Sequence, residues 1–173
     1  MKVLRWLASL IICSAAAAAI WFYCIGPMRC EKMEFSVQRI TERIAPYAAD
    51  QIRVVPYARR NIQRLTPCMA CASNVNRAML LAANLRLIGR QEEAVAAYRE
   101  ALRRDRRPEL YFNIGTTLLE LGRDAEAREY LITACLYNPD YESAIPAHQD
   151  ELRNAVDRYY LRIKEEAEKR SRR

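Results

Sequence analysis

Apolar residues recur at helical spacing through most of the chain. Leu81, Leu85 and Ile88 share one face, and Ile114, Leu118 and Leu121 share another. A glycine follows each row, Gly89 and Gly122, where a helix end calls for a left-handed residue without a Cβ. Charged stretches come next, Arg90-Gln91-Glu92-Glu93 and Arg123-Asp124-Ala125-Glu126. Small residues then mark two further helices, at Ala94 and Ala101 and at Ala127 and Ala134. Tyr98 and Leu131 fill the space beside them. The two copies are offset by 33 residues, so that Gly89 pairs with Gly122 and Ala94 with Ala127. Each copy predicts a pair of helices, apolar on two sides and unstable alone. Two pairs fall short of the three usually needed, so flanking helices are expected to cap both ends.

The flanks carry their own patterns. Two basic residues, Lys2 and Arg5, precede 23 uncharged residues from Trp6 to Met28. As a helix this run spans roughly 30 Å, enough for a bilayer core. Trp6 near one end and Trp21, Phe22 and Tyr23 near the other suit an aromatic belt. The rival reading is a cleaved signal peptide with sites among Ala15–Ala19; the apolar run that continues through Ile20–Tyr23 favours a retained anchor. Met33, Val37, Ile40 and Ile44 predict a helix over 31–45, ended by Pro46. A second helix is predicted over 57–65, between Pro56 and Pro67. Beyond Pro146, the stripe Leu152, Val156, Tyr159, Ile163 and Ala167 predicts one long helix over 147–170 that covers the preceding pair.

The doubled stretch resembles the tetratricopeptide repeat family. In the second copy Tyr111, Ile114, Gly115, Leu118, Gly122, Ala127, Leu131, Ala134 and Pro139 fall on the signature positions, with Leu118 and Leu131 where aromatics are usual. The first copy has Ala78 for the early aromatic, Ala82 for glycine, and its proline two residues late at Pro108. The resemblance implies an all-α helical array; with the apolar run before it and the striped helix after it, the expected fold is all-α, an N-terminal transmembrane helix followed by a short repeat-like array with a C-terminal capping helix. The expected parts are an anchor (1–28), a connecting region (29–73), two repeats (74–141, the copies at about 75–107 and 108–141) and a solvating helix with a basic tail (142–173). It further implies a groove lined by each repeat's first helix. Asn76, Met79, Ala83 and Arg86 would come from one copy, and Phe112, Asn113, Thr116 and Glu120 from the other. Such a surface suits a short peptide or a partner helix. Met79 and Ala83 stand where the family's carboxylate clamp has Lys and Asn, which argues against clamp binding.

Candidate chemistry changes this picture little. Cys68-Met69-Ala70-Cys71 reads as a structural disulfide, first between Cys68 and Cys71 and alternatively from Cys30 to this turn. The other readings are a redox pair or half a zinc site, with only Cys30, Cys135 and His148 left to complete it. Ala72 after Cys71 excludes haem attachment. One histidine and four glycines give no triad, no two-histidine metal motif and no phosphate loop, so no enzyme activity, cofactor or metal is expected. The net charge of +7 gathers at Arg53, Arg59, Arg60 and Arg64 and at Arg103, Arg104, Arg106 and Arg107. No nucleic-acid motif accompanies it, which leaves solvated faces, an acidic partner or anionic lipid. Arginine outnumbers lysine 24 to 4 and alanine is abundant, as in GC-rich bacterial genes. A short basic tail before a first span stays in the cytoplasm as a rule. The expectation is a single-pass protein of the cytoplasmic membrane, its C-terminal domain periplasmic, that positions another envelope protein. The alternative is a thiol-disulfide or metal-handling accessory protein using Cys68 and Cys71.

Overall fold

A computed structural model describes residues 2–21, 25–69 and 74–171, with side chains from residue 10 onward. Eight α-helices occur among them: α1 Lys2–Ile20, α2 Gly26–Ile44, α3 Gln51–Met69, α4 Val75–Leu87, α5 Gln91–Leu102, α6 Pro108–Glu120, α7 Asp124–Tyr137 and α8 Gln149–Ser171. Short 3-10 turns follow α2 and α7 and precede α8. No strand occurs among the described residues. The chain divides into two units, Met1–Gly89 and Arg90–Arg173, and the division falls at the turn between α4 and α5.

In the second unit the doubled pattern has its physical explanation. Pro108 opens α6 at a position whose N–H would have no intrahelical partner. Gly122 ends the helix pair's first member with φ +71°, a conformation a Cβ would strain. Asp124 and Glu126 sit in the first turn of α7, at the positive end of its dipole. Helices α6 and α7 meet at Gly115. A Cβ there would come within 2.6 Å of Leu131 Cγ and 3.2 Å of the Ala127 carbonyl oxygen. Ala127, Leu131 and Ala134 on α7 are sealed against Leu110, Ile114 and Leu118 on α6. Helix α8 closes the far side of α7: Leu152 and Val156 join Leu131 and Cys135 in one apolar cluster, with Phe112, Tyr141 and Ile145 packed around it.

The first unit packs α2, α3 and α4 together around a core that is partly polar. Ile44, Val54 and Ala58 form one apolar cluster with Ile40, Leu87 and Ile88. Beside it lies a chain of buried side chains. Thr41 donates to the Val37 carbonyl at 2.9 Å, Asn84 donates to Thr41 Oγ1 at 2.9 Å, and Asn61 donates to Asn84 Oδ1 at 3.0 Å. Arg77, 2% exposed, donates to the Cys68 carbonyl at 2.9 Å and pairs with Glu34 at 3.2 Å. Asn74 caps α4 by accepting from the Asn76 N–H, and its amide donates to Glu34.

Three expectations need correction. Helix α3 runs from Gln51 to Met69 and contains both Pro56 and Pro67, which were read as its boundaries. Val54, Ala58, Asn61, Leu65 and Cys68 recur every three or four residues and are buried, and this continuous row outweighs the hydrogen bonds the two exposed prolines remove. Helix α8 is as long as expected, yet only Leu152 and Val156 of its stripe are buried; Tyr159, Ile163 and Ala167 stay exposed because the helix outruns the surface it covers. The single transmembrane helix expected over 6–28 is not found. Helix α1 ends at Ile20, α2 begins at Gly26, and Phe22–Cys24 lie outside the described residues. Among the described residues no helix is long and apolar enough to cross a membrane.

The α6–α7 contact gives a direct test. Ala127→Leu adds three heavy atoms at a site with no exposure, and overpacking of this kind costs about 1–3 kcal/mol. Arg128→Leu removes only an exposed ion pair to Glu151, worth about 0–1 kcal/mol. Thermal denaturation of the full chain should show a loss of several degrees for the first and a much smaller one for the second. Equal shifts would mean that Ala127 is not at the crossing.

Candidate interaction site

The residues expected to line a groove fall on one face of each repeat's first helix. On α4, Asn76 is exposed, and Met79, Ala83 and Arg86 are half-buried, at spacings of three and four. On α6, Glu120 is exposed, and Phe112, Asn113 and Thr116 are half-buried. The two sets belong to different units, so each is a surface on its own helix. Within the second set the residues are not equivalent. Phe112 stacks on Tyr141 with ring centroids 4.4 Å apart and planes at 18°, so its ring is committed within the chain. Thr116 turns its hydroxyl to the Asn113 carbonyl at 3.2 Å. The Asn113 side-chain amide makes no hydrogen bond among the described residues.

Two surfaces of the second unit were not anticipated. Tyr111 on α6 meets Tyr130 and Tyr137 on α7, at centroid distances of 6.4 and 6.0 Å. Arg99 of α5 lies 5.8 Å from the Tyr130 ring and donates to its hydroxyl. The seven-residue spacing of Tyr130 and Tyr137 was a usable signal for this patch. The second is a cleft of about 130 Å³ lined by Leu119, Asp124, Ala125, Arg128, Leu131, His148, Glu151 and Leu152. Glu151 sits at its edge, 2.8 Å from Arg128 and 3.6 Å from His148. His148 is therefore half-buried at a cleft of mixed polar and apolar lining.

The cysteines resolve differently from the first expectation. Cys68 is bonded to Cys30, joining the last turn of α3 to the first turns of α2, with Cα atoms 5.6 Å apart. Its partner is thus not Cys71, which lies outside the described residues. A separation of three in sequence says nothing about which cysteine the neighbouring helix brings up. Cys68 also stands at a helix C-terminus, the negative end of the dipole, which disfavours a thiolate. Among the described residues no three His, Cys, Asp or Glu side chains are placed to hold a metal ion. Cys135 is free and buried; burial, and secondarily the charge of Glu142, push its thiol up to about 11. Cys13 is free and exposed.

Tandem helix pairs with a Gly-ended first member and an Ala-lined second one define a helical-repeat protein. The family profile described as Tetratricopeptide repeat matches residues 78–108 and again 108–141, so this stretch of the chain is similar to two such repeats. No curated protein and no solved structure matches the chain. Repeats of this family act as protein-interaction scaffolds, which places the site on a surface and not in an enclosed pocket.

The disulfide assignment is open to chemical test. Closing a loop of 38 residues is worth about 4 kcal/mol by chain entropy. Non-reduced peptide mapping should recover Cys30 linked to Cys68, and Cys135 should be alkylated at pH 8 only after denaturation. A Cys68–Cys71 peptide with Cys30 free would overturn the pairing.

Proposed function

We propose that the protein is a non-catalytic scaffold that binds a segment of another membrane or envelope protein on the exposed face of α6, the first helix of its second repeat. The observation that carries this is the state of α6. Leu110, Ile114 and Leu118 are fully sealed on one side, while Asn113, Thr116 and Glu120 remain at the surface on another. Side chains of mixed polarity on a rigid helix suit a peptide or helix with both apolar and polar groups. Met79, Ala83 and Arg86 on α4 supply a comparable row, with Asn76 at its start. Phe112 contributes through its stack on Tyr141, as a fixed edge.

We place the protein at a membrane surface, attached through its apolar N-terminal segment, with residues 29–173 in an oxidising compartment. The large apolar side chains of Leu10, Ile11, Ile12 and Ile20 are exposed, and a disulfide joins Cys30 to Cys68. Both features favour this placement: exposed apolar runs mark membrane or partner contacts, and structural disulfides persist in oxidising compartments.

Binding is tested by cross-linking the full-length protein in membranes and identifying what is captured. Asn113→Ala with Thr116→Arg should lower the yield of the specific adduct about tenfold, equivalent to about 1.4 kcal/mol. Glu129→Arg, at an exposed position of α7, should leave it unchanged. If both variants lose or both keep the adduct, the α6 face is not the docking surface. For the placement, alkaline phosphatase fused after Arg173 should be active. An inactive fusion paired with an active cytoplasmic reporter would reverse the orientation.

A further inference from the structure

Building on the membrane attachment proposed above, we infer that the solvent face of α2 lies against a bilayer surface rich in anionic headgroups. At 100° per residue, Met28, Lys32, Phe35 and Arg39 share a sector roughly 60° wide. It points away from Cys30, Val37, Thr41 and Ile44, the buried side of the same helix. Met28 and Phe35 are each 59% exposed, although both are large and apolar. Exposed Ile25 and Trp21 lead into them along the chain.

The cations are arranged around these apolar groups. The Arg29 guanidinium lies 5.5 Å from the Trp21 ring, and that of Arg39 lies 4.6 Å from the Phe35 ring. A cation held over an aromatic ring, with apolar side chains beside it, suits the boundary between headgroups and acyl chains. Arg29, Lys32 and Arg39 form no ion pair with a carboxylate among the described residues. The cluster first suspected of lipid contact behaves differently: Arg103 and Arg104 pair with Glu100, and Arg107 pairs with Asp105. Along α2 the exposed carboxylates are Glu31 and Glu42, against exposed Arg29, Lys32, Arg39 and Arg43; Glu34 is turned inward to Arg77. Arg64 of α3 adds a further cation on this side by donating to Ser36.

The occupant follows from charge and extent. A second copy would bring the same excess of cations to the contact. Among the described residues, exposed large apolar side chains occur at Leu10, Ile11, Ile12 and Ile20 on α1, at Trp21 and Ile25, and at Met28 and Phe35 on α2, more than a single peptide-sized contact would cover. A bilayer surface offers both an extended apolar layer and a negative skin.

The test uses the full chain carrying Phe35→p-benzoylphenylalanine, mixed with vesicles of phosphatidylcholine alone or enriched in phosphatidylglycerol. Flotation reports attachment, and photo-cross-linking reports what the α2 face touches. The expected result is a lipid adduct favoured on the anionic vesicles. Arg29→Gln, Lys32→Gln and Arg39→Gln should each reduce the anionic-over-neutral adduct ratio roughly fivefold. Protein that floats but cross-links through residue 35 to a second copy or to no lipid overturns this inference and leaves the attachment standing. An adduct yield indifferent to headgroup charge does the same. Protein that stays with the soluble fraction overturns both.

Discussion

The approach of α6 to α7 at Gly115 governs the second unit. With no Cβ at this point, Leu131 can lie directly over the α6 backbone, and the Ala127 carbonyl can come within ordinary contact distance. That closeness makes Leu131 a two-sided residue. It lies over Gly115 within the pair, and it also belongs to the cluster that receives Leu152 and Val156 from α8. Widening the crossing would displace Leu131 from both contacts, and the seat of α8 would go with it. The exposed row Asn113, Thr116 and Glu120 has a defined geometry because the opposite side of α6 is locked in this way.

The first unit is stabilised by different means. Its helices bury Asn61, Asn84, Thr41 and Arg77 where a larger apolar core would carry Leu or Ile. Such groups add little net stability when bonded, but leaving one unpaired costs about 1–3 kcal/mol, so they specify register more than they add strength. Asn84 reaches Thr41 on α2 and Asn61 on α3, and a helix shifted by one residue could keep neither bond. The buried Asn61 Oδ1 atom makes no hydrogen bond among the described residues. The Cys30–Cys68 bond then closes the end of the bundle where Arg77 binds the Cys68 carbonyl and Glu34.

What could be read from the sequence follows from which physics leaves a periodic trace. The 33-residue offset exposed Ala127 and Ala134 because they repeat Ala94 and Ala101, whereas Gly115 and Leu131, which stand opposite Ala82 and Tyr98, were legible through the resemblance to the repeat family. Two buried asparagines left no such trace, since a polar residue inside an apolar row looks like a gap in the row. Helix α3 was cut short at Pro56 and Pro67 because a local rule was applied without the burial that overrides it. The stripe on α8 was read correctly as amphipathic and wrongly as covered; periodicity shows that a helix has an apolar side and is silent on whether anything meets it. For the candidate site, the rows on α4 and α6 were legible from repeat register. The engagement of Phe112 by Tyr141 was not, because it depends on where the loop after α7 returns.

Charge is used in two ways along the chain, and the difference bears on function. Most arginines of the second unit are closed by carboxylates: Arg90 by Glu93, Arg99 by Glu126, Arg123 by Glu92 and Glu126, Arg128 by Glu151 and Arg153 by Glu142. Exposed pairs of this kind contribute roughly 0–1 kcal/mol each and leave little field for a distant partner to feel. If the scaffold role proposed above is right, binding to such a surface would rest on shape and hydrogen bonding and depend weakly on salt. On α2 the excess of cations is left open and is placed beside exposed Met28 and Phe35. An exposed apolar side chain is disfavoured in water, and a neighbouring unpaired cation gains a partner without losing its hydration when the pair meets an anionic interface. The net charge of +7 is thus better read by its local arrangement than by its sum: largely neutralised by ion pairs in the second unit, and unneutralised on α2.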